Sequence, residues 1–153
     1  MQKQYISNKP GWGANAEYRY GENGRKGDLG ELFVKKYCKD AGILFEGKQD
    51  RHSQVVLKID CIIEGTTVDV KTNAYKDYLC VEICKNTGKD GWIFTTTAKE
   101  IYGVDLDKKE IYRYKVEDML EYVGDNLYKQ KPNKFGDTIM WVRKDLDFIE
   151  RLH

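Results

Sequence analysis

The sequence predicts a mixed α/β fold, a mixed β-sheet flanked by helices. Two observations carry this. A helical period near the N-terminus gives way to a succession of short segments rich in β-branched residues, and the helical period returns only toward the C-terminus. Helix, several strands, then helix is the order expected of a sheet covered by helices rather than of a bundle or a β-sandwich.

Residues 1–26 carry many glycines and polar side chains without apolar periodicity, and read as an N-terminal arm. Residues 27–153 read as a single domain. From Asp28 to about Ala41, Leu29, Leu32, Phe33, Tyr37 and Cys38 fall at near-helical spacing, and Gly42 closes the run. Asp28 with Glu31 makes a capping-box-like start. Strands follow at 43–47, 55–63, 66–72, 78–84 and 92–97, then a hairpin of Ile101–Leu106 and Glu110–Tyr114 around Asp107-Lys108-Lys109. A helix over 115–123 presents Val116, Met119, Leu120 and Val123, and Lys129, Lys131 and Lys134 occupy the loop around Pro132. A strand over Thr138–Val142 leads to a last helix with Leu146, Ile149 and Leu152 on its inner stripe.

A chain of 153 residues, 41% hydrophobic and 33% charged, supports one core and is not disordered overall. No apolar run approaches the ~20 residues of a membrane helix, and the opening Met1-Gln2-Lys3-Gln4-Tyr5 is too polar to begin a signal peptide. A net charge of +1 leaves any basic surface to local clustering. Cys38, Cys61, Cys80 and Cys84 form no CxxC pair, so they read as small core fillers in a reducing cytosol. No Walker loop, nucleophile elbow, zinc-finger pattern or helix-turn-helix is present in the sequence.

The segment that carries chemistry is Val55–Ile63, then Glu64-Gly65, then Thr66–Thr72. With Glu64-Gly65 as a two-residue turn, Ile63 pairs with Thr66, and counting back sets Asp60 opposite Asp69. Opposed side chains have Cβ atoms roughly 5 Å apart, where like charges repel. A divalent cation, magnesium or manganese, would offset that cost. Asp69 and Lys71 share one face while Val68 and Val70 point the other way. The plainer reading of Asp69 and Lys71 is a surface ion pair, but an aspartate inside the apolar run Leu57–Ile63 is out of keeping with its neighbours.

Ile59-Asp60, a short gap, then Asp69-Val70-Lys71 resembles the motif of the PD-(D/E)XK nuclease superfamily, and the upstream helix with Gly30-Glu31 resembles the first core helix of many members. The likeness spans residues 27–97, with Ile59 where the name-giving proline would be. It implies a restriction-endonuclease-like core and a metal-dependent DNA endonuclease. It also implies roles: Asp60, Asp69 and the Val70 carbonyl on Mg2+ or Mn2+, Lys71 on the attacking water and the phosphate, and Glu31 completing the site. Glu82, acidic within an apolar strand, is an additional candidate. Lys3, Lys9, Arg19, Arg25 and Lys26 interleave with Tyr5, Trp12, Tyr18 and Tyr20, and with Arg51, Lys129 and Lys131 they are the candidate nucleic-acid contacts. A chain with one site is expected to pair as a homodimer on double-stranded or branched DNA, with no membrane involvement. A Holliday-junction resolvase of the same fold and a catalytically inactive nucleic-acid-binding module are the alternatives.

Overall fold

The computed structural model describes residues 24–47 and 50–153. In chain order it has α1 (Gly24–Ala41), β1 (Phe45–Glu46), β2 (Cys61–Ile63), β3 (Thr66–Lys71), β4 (Ala74–Tyr75) and β5 (Tyr78–Cys84). There follow α2 (Trp92–Thr95), β6 (Glu100–Asp105), β7 (Glu110–Lys115), α3 (Val116–Asn126), β8 (Thr138–Arg143) and β9 (Glu150–Arg151). The larger sheet runs β1-β2-β3-β6-β7-β9 and is mixed, because β3 and β6 are parallel while the other neighbours are antiparallel. A smaller antiparallel sheet, β4-β5-β8, covers part of one face.

Alternation along β3 divides the core. Val68 and Val70 join Cys61, Ile63, Val34 and Cys38 on the α1 side, whereas Ile101 and Tyr114 meet Leu79, Val81 and Ile83 of the small sheet and Met119 and Val123 of α3. Burying each aliphatic side chain of this kind contributes about 1.5–3 kcal/mol. Asp69 therefore faces the small-sheet side of the large sheet, the side opposite α1.

Helix α1 ends as the sequence predicts. Gly42 has φ 70°, its N–H donates to the Lys39 carbonyl at 3.3 Å, and the Ile43 N–H donates to the Cys38 carbonyl at 2.8 Å, a Schellman cap. Its start differs. The helix already runs at Gly24, so Asp28 lies inside it rather than at a cap, and the expected boundary after residue 26 falls within α1. Its inner stripe is Gly30, Val34 and Cys38, leaving Leu29 and Leu32 exposed. The rotation has a steric cause: a Cβ on Gly30 would stand 1.9 Å from Thr72 Oγ1, so the backbone of α1 touches the end of β3 there.

Three further expectations are corrected. Residues 55–63 are not one strand: Ser53–Leu57 form a π-helical turn ended by Lys58 at φ 62°, and only Cys61–Ile63 are extended. The Asp50 carboxylate accepts the Ser53 N–H at 2.8 Å, and the Thr97 hydroxyl donates to the Leu57 carbonyl at 2.8 Å, so both ends of the turn are tied. Residues 92–97 begin with the short helix α2, because Gly91 packs against the backbone of Glu82 and Trp92 is capped by the Glu82 side chain. The last segment is not helical. The open edge of β7 takes β9 instead, with Leu152 N–H donating to the Ile111 carbonyl at 2.8 Å and Arg113 paired with Glu150. Helix α3 buries Val116, Met119 and Val123 as expected, but Leu120 is exposed. Cys38 and Cys61 are core fillers, whereas Cys80 and Cys84 lie on the half-buried face of β5. No described helix is long and apolar enough to cross a membrane.

Candidate functional site

The β2–β3 hairpin positions the site. Glu64 and Gly65 have φ 49° and 80°, the left-handed pair of a type I′ turn, and the register is Ile63 to Thr66, Ile62 to Thr67 and Cys61 to Val68. This is the register counted from the sequence, but the paired ladder stops at Cys61, just short of Asp60. Asp60 instead donates its N–H to the Val68 carbonyl at 2.9 Å, and its Oδ2 accepts the Val70 N–H at 2.8 Å. One carboxylate thus takes the place of a strand partner beside Asp69.

Asp69 is 2% exposed. Its Oδ1 lies 3.4 Å from Lys71 Nζ, and its Oδ2 is buried with no hydrogen-bond partner. Burial pushes the Asp69 carboxyl up to about 7; Lys71 pulls the other way, and the charge of Asp60 adds to the rise. The Cys61 thiol is raised as well, by burial first and then by the charges of Asp60, Glu31 and Asp69.

Glu31 belongs to α1, on the other side of the sheet from Asp69, and lines a cleft of about 520 Å³ with Asp28, Leu32, Lys35, Phe45 and Gly47. Among the described residues, no group of three or more His, Cys, Asp and Glu side chains converges to hold a metal. The available donors are the carboxylates of Asp60 and Asp69 and the Val70 carbonyl. They fit a hard divalent cation that keeps several of its waters, and the orphaned Asp69 Oδ2 is the acceptor such an ion would satisfy.

Glu82 stands on the half-buried face of β5, and its carboxylate accepts the Trp92 N–H at 3.2 Å. Trp92 is the neighbour that sequence reasoning missed: its ring lies 4.9 Å below Lys71 Nζ. No local feature of the sequence points to it, because the contact forms only through tertiary packing. Of the candidate nucleic-acid contacts, Lys3, Lys9 and Arg19 lie outside the described residues. Arg25 and Lys26 are exposed on the first turn of α1, Arg51 is exposed at the start of the π turn, and Lys129 and Lys131 are exposed between α3 and β8. The structure thus brings Asp60, Asp69, Val70 and Lys71 together and leaves the described cations apart, Arg25 and Lys26 on α1, Arg51 before the π turn, and Lys129 and Lys131 after α3.

No family model and no curated protein matches the chain. Among solved structures it is similar to a bacterial homing endonuclease, I-Ssp6803I, with 16% sequence identity and a TM-score of 0.49 over 83% of this chain and 80% of that chain. A likeness of that size does not place the chain in a family.

Proposed function

We propose that the chain is a metal-dependent DNA endonuclease with a restriction-endonuclease-like core. The observation that carries this reading is the Asp60–Asp69 pair beside Lys71, with one buried acceptor oxygen of Asp69 left without a donor. Asp60, Asp69 and the Val70 carbonyl are the groups that would hold Mg2+ or Mn2+, and Glu31, in its separate cleft, is left out of the set. Such an ion, when bound, polarises a phosphate oxygen and makes a coordinated water more acidic. The chain's own residues do the rest. Asp60 is locked by the Val70 N–H, so its carboxylate is pre-oriented. Lys71 supplies a fixed positive charge that orients the attacking water and stabilises charge growing on the phosphate. One site per chain and two strands to cut favour a homodimer on double-stranded or branched DNA, and a junction resolvase is one form of the same activity.

The test is cleavage of supercoiled plasmid and of a synthetic four-way junction in magnesium, manganese or EDTA, with Asp69→Ala beside the wild type. Cutting in either metal, none in EDTA, and a fall on the order of a thousandfold with the substitution is the expected result. DNA binding without cutting in any metal would instead make the chain an inactive nucleic-acid-binding module.

A further inference from the structure

The site lysine is held from two sides. Lys71 Nζ stands 3.4 Å from Asp69 Oδ1 and 4.9 Å from the centre of the Trp92 ring. The main chain that carries the indole is itself fastened. The Trp92 backbone N–H donates to Glu82 Oε1 at 3.2 Å, and the preceding Gly91 donates its N–H to the Ile83 carbonyl at 2.8 Å. A Cβ on Gly91 would come 2.1 Å from the Glu82 carbonyl oxygen, so only glycine lets the chain approach β5 this closely. This gives the acid between Val81 and Ile83 a structural task, since its carboxylate caps the start of α2 and so fixes where Trp92 stands.

We propose that Trp92 is a positioning residue for Lys71, a clamp in which the indole face and the Asp69 carboxylate hold the ammonium between them, with Glu82 anchoring the indole. A free lysine side chain samples many rotamers. Attraction to an aromatic face restricts it, and a charge already in place at the reacting phosphate loses nothing to reorganisation. The catalytic consequence rests on the nuclease reading; the clamp rests on the geometry alone.

Trp92→Phe keeps an aromatic face, whereas Trp92→Leu keeps apolar volume without one. In the metal-free protein the Lys71 ε-methylene protons, assigned against Lys71→Gln, should be shifted upfield by the ring current. The shift should survive in Trp92→Phe and vanish in Trp92→Leu. In cleavage assays Trp92→Leu should lose about tenfold in kcat at unchanged KM for DNA, while Trp92→Phe stays within about threefold of the wild type. Glu82→Gln, which still accepts the Trp92 N–H, should resemble the wild type, and Glu82→Ala should resemble Trp92→Leu. An unshifted Lys71 in the wild type, equal kcat losses in the Phe and Leu variants, or a fully active Trp92→Leu would each overturn the clamp. A wild type that cuts no DNA would remove the nuclease reading, and the ring-current shift alone would then decide the clamp.

Discussion

Two buried clusters in this molecule join a lysine to carboxylates, and they are finished differently. Lys144 is 9% exposed and donates to Asp105 Oδ2 at 3.0 Å and to Glu110 Oε1 at 3.3 Å. Its partners are served further. Asp105 accepts the Lys108 N–H at 3.0 Å, and Glu110 takes the Tyr112 hydroxyl at 2.9 Å and an ion pair from Arg151 at 3.2 Å. Burial pushes both carboxyls up, yet these donors outweigh it and hold Asp105 and Glu110 below the usual carboxylate range. Asp69 also has a lysine, but a single one at 3.4 Å and with an oxygen left over, and there burial wins. What separates the satisfied cluster from the unsatisfied one here is the supply of donors, not the presence of a cation.

The largest effect that could break this comparison is in stability. Lys144→Ala strands Asp105 and Glu110 without their ammonium, and should cost about 3–5 kcal/mol in urea unfolding. Lys71→Ala should cost far less, because Asp69 can take up a proton near neutral pH. Equal losses would erase the distinction.

The next effect is the sign of the pH dependence. Asp105 and Glu110 are depressed, so their stabilisation is present above the unfolded carboxyl value of about 4 and is lost as pH falls through the folded values. Asp69 is raised to about 7, so the metal-free protein should lose stability as pH climbs from about 4 toward 7. Thermal unfolding of Asp69→Asn from about pH 2 to about pH 8 should show the neutral decline flattened and the acid decline unchanged. The smallest effect sharpens the same point. Millimolar magnesium should raise the wild-type Tm by a few degrees at pH 8, less at pH 5.5, and leave Asp69→Asn unmoved, since only an ionised Asp69 rewards a bound cation. A magnesium shift that persists in Asp69→Asn would place the ion elsewhere.

The hairpin was legible in the sequence because its determinants are local. Glu64-Gly65 fits only a turn with positive φ, and the β-branched residues on either side want a pleated surface. The π turn was not legible. Val55 and Val56 are good strand residues, but they end up exposed, and the Thr96 and Thr97 hydroxyls that hold the turn at Lys58 and Leu57 come from some forty positions away. The strand read at 92–97 failed for the same reason: the contact of Gly91 with β5 has no local trace. The repeat of Leu146, Ile149 and Leu152 does suit a helix, yet the free edge of β7 offered backbone partners that a short terminal helix could not match. Within the site, Asp60, Asp69 and Lys71 could be aligned by counting, whereas Trp92 and the shortened ladder at Asp60 depend on tertiary packing.

The parallel pairing of β3 with β6 has a consequence for the order of assembly. Strand β3 closes on β2 through a two-residue turn, but its pairing of Val68 with Glu100 must wait for β4, β5 and α2 to be threaded between them. Local hairpins form in microseconds, whereas distant parallel contacts carry the entropy of a long closing loop. The two acids can therefore meet early in folding, while the lysine gains its indole only after the crossover has closed. Asp69 and Lys71 arrive together on one strand, so it is the indole of Trp92, beyond β4 and β5 in the chain, that depends on the crossover between β3 and β6.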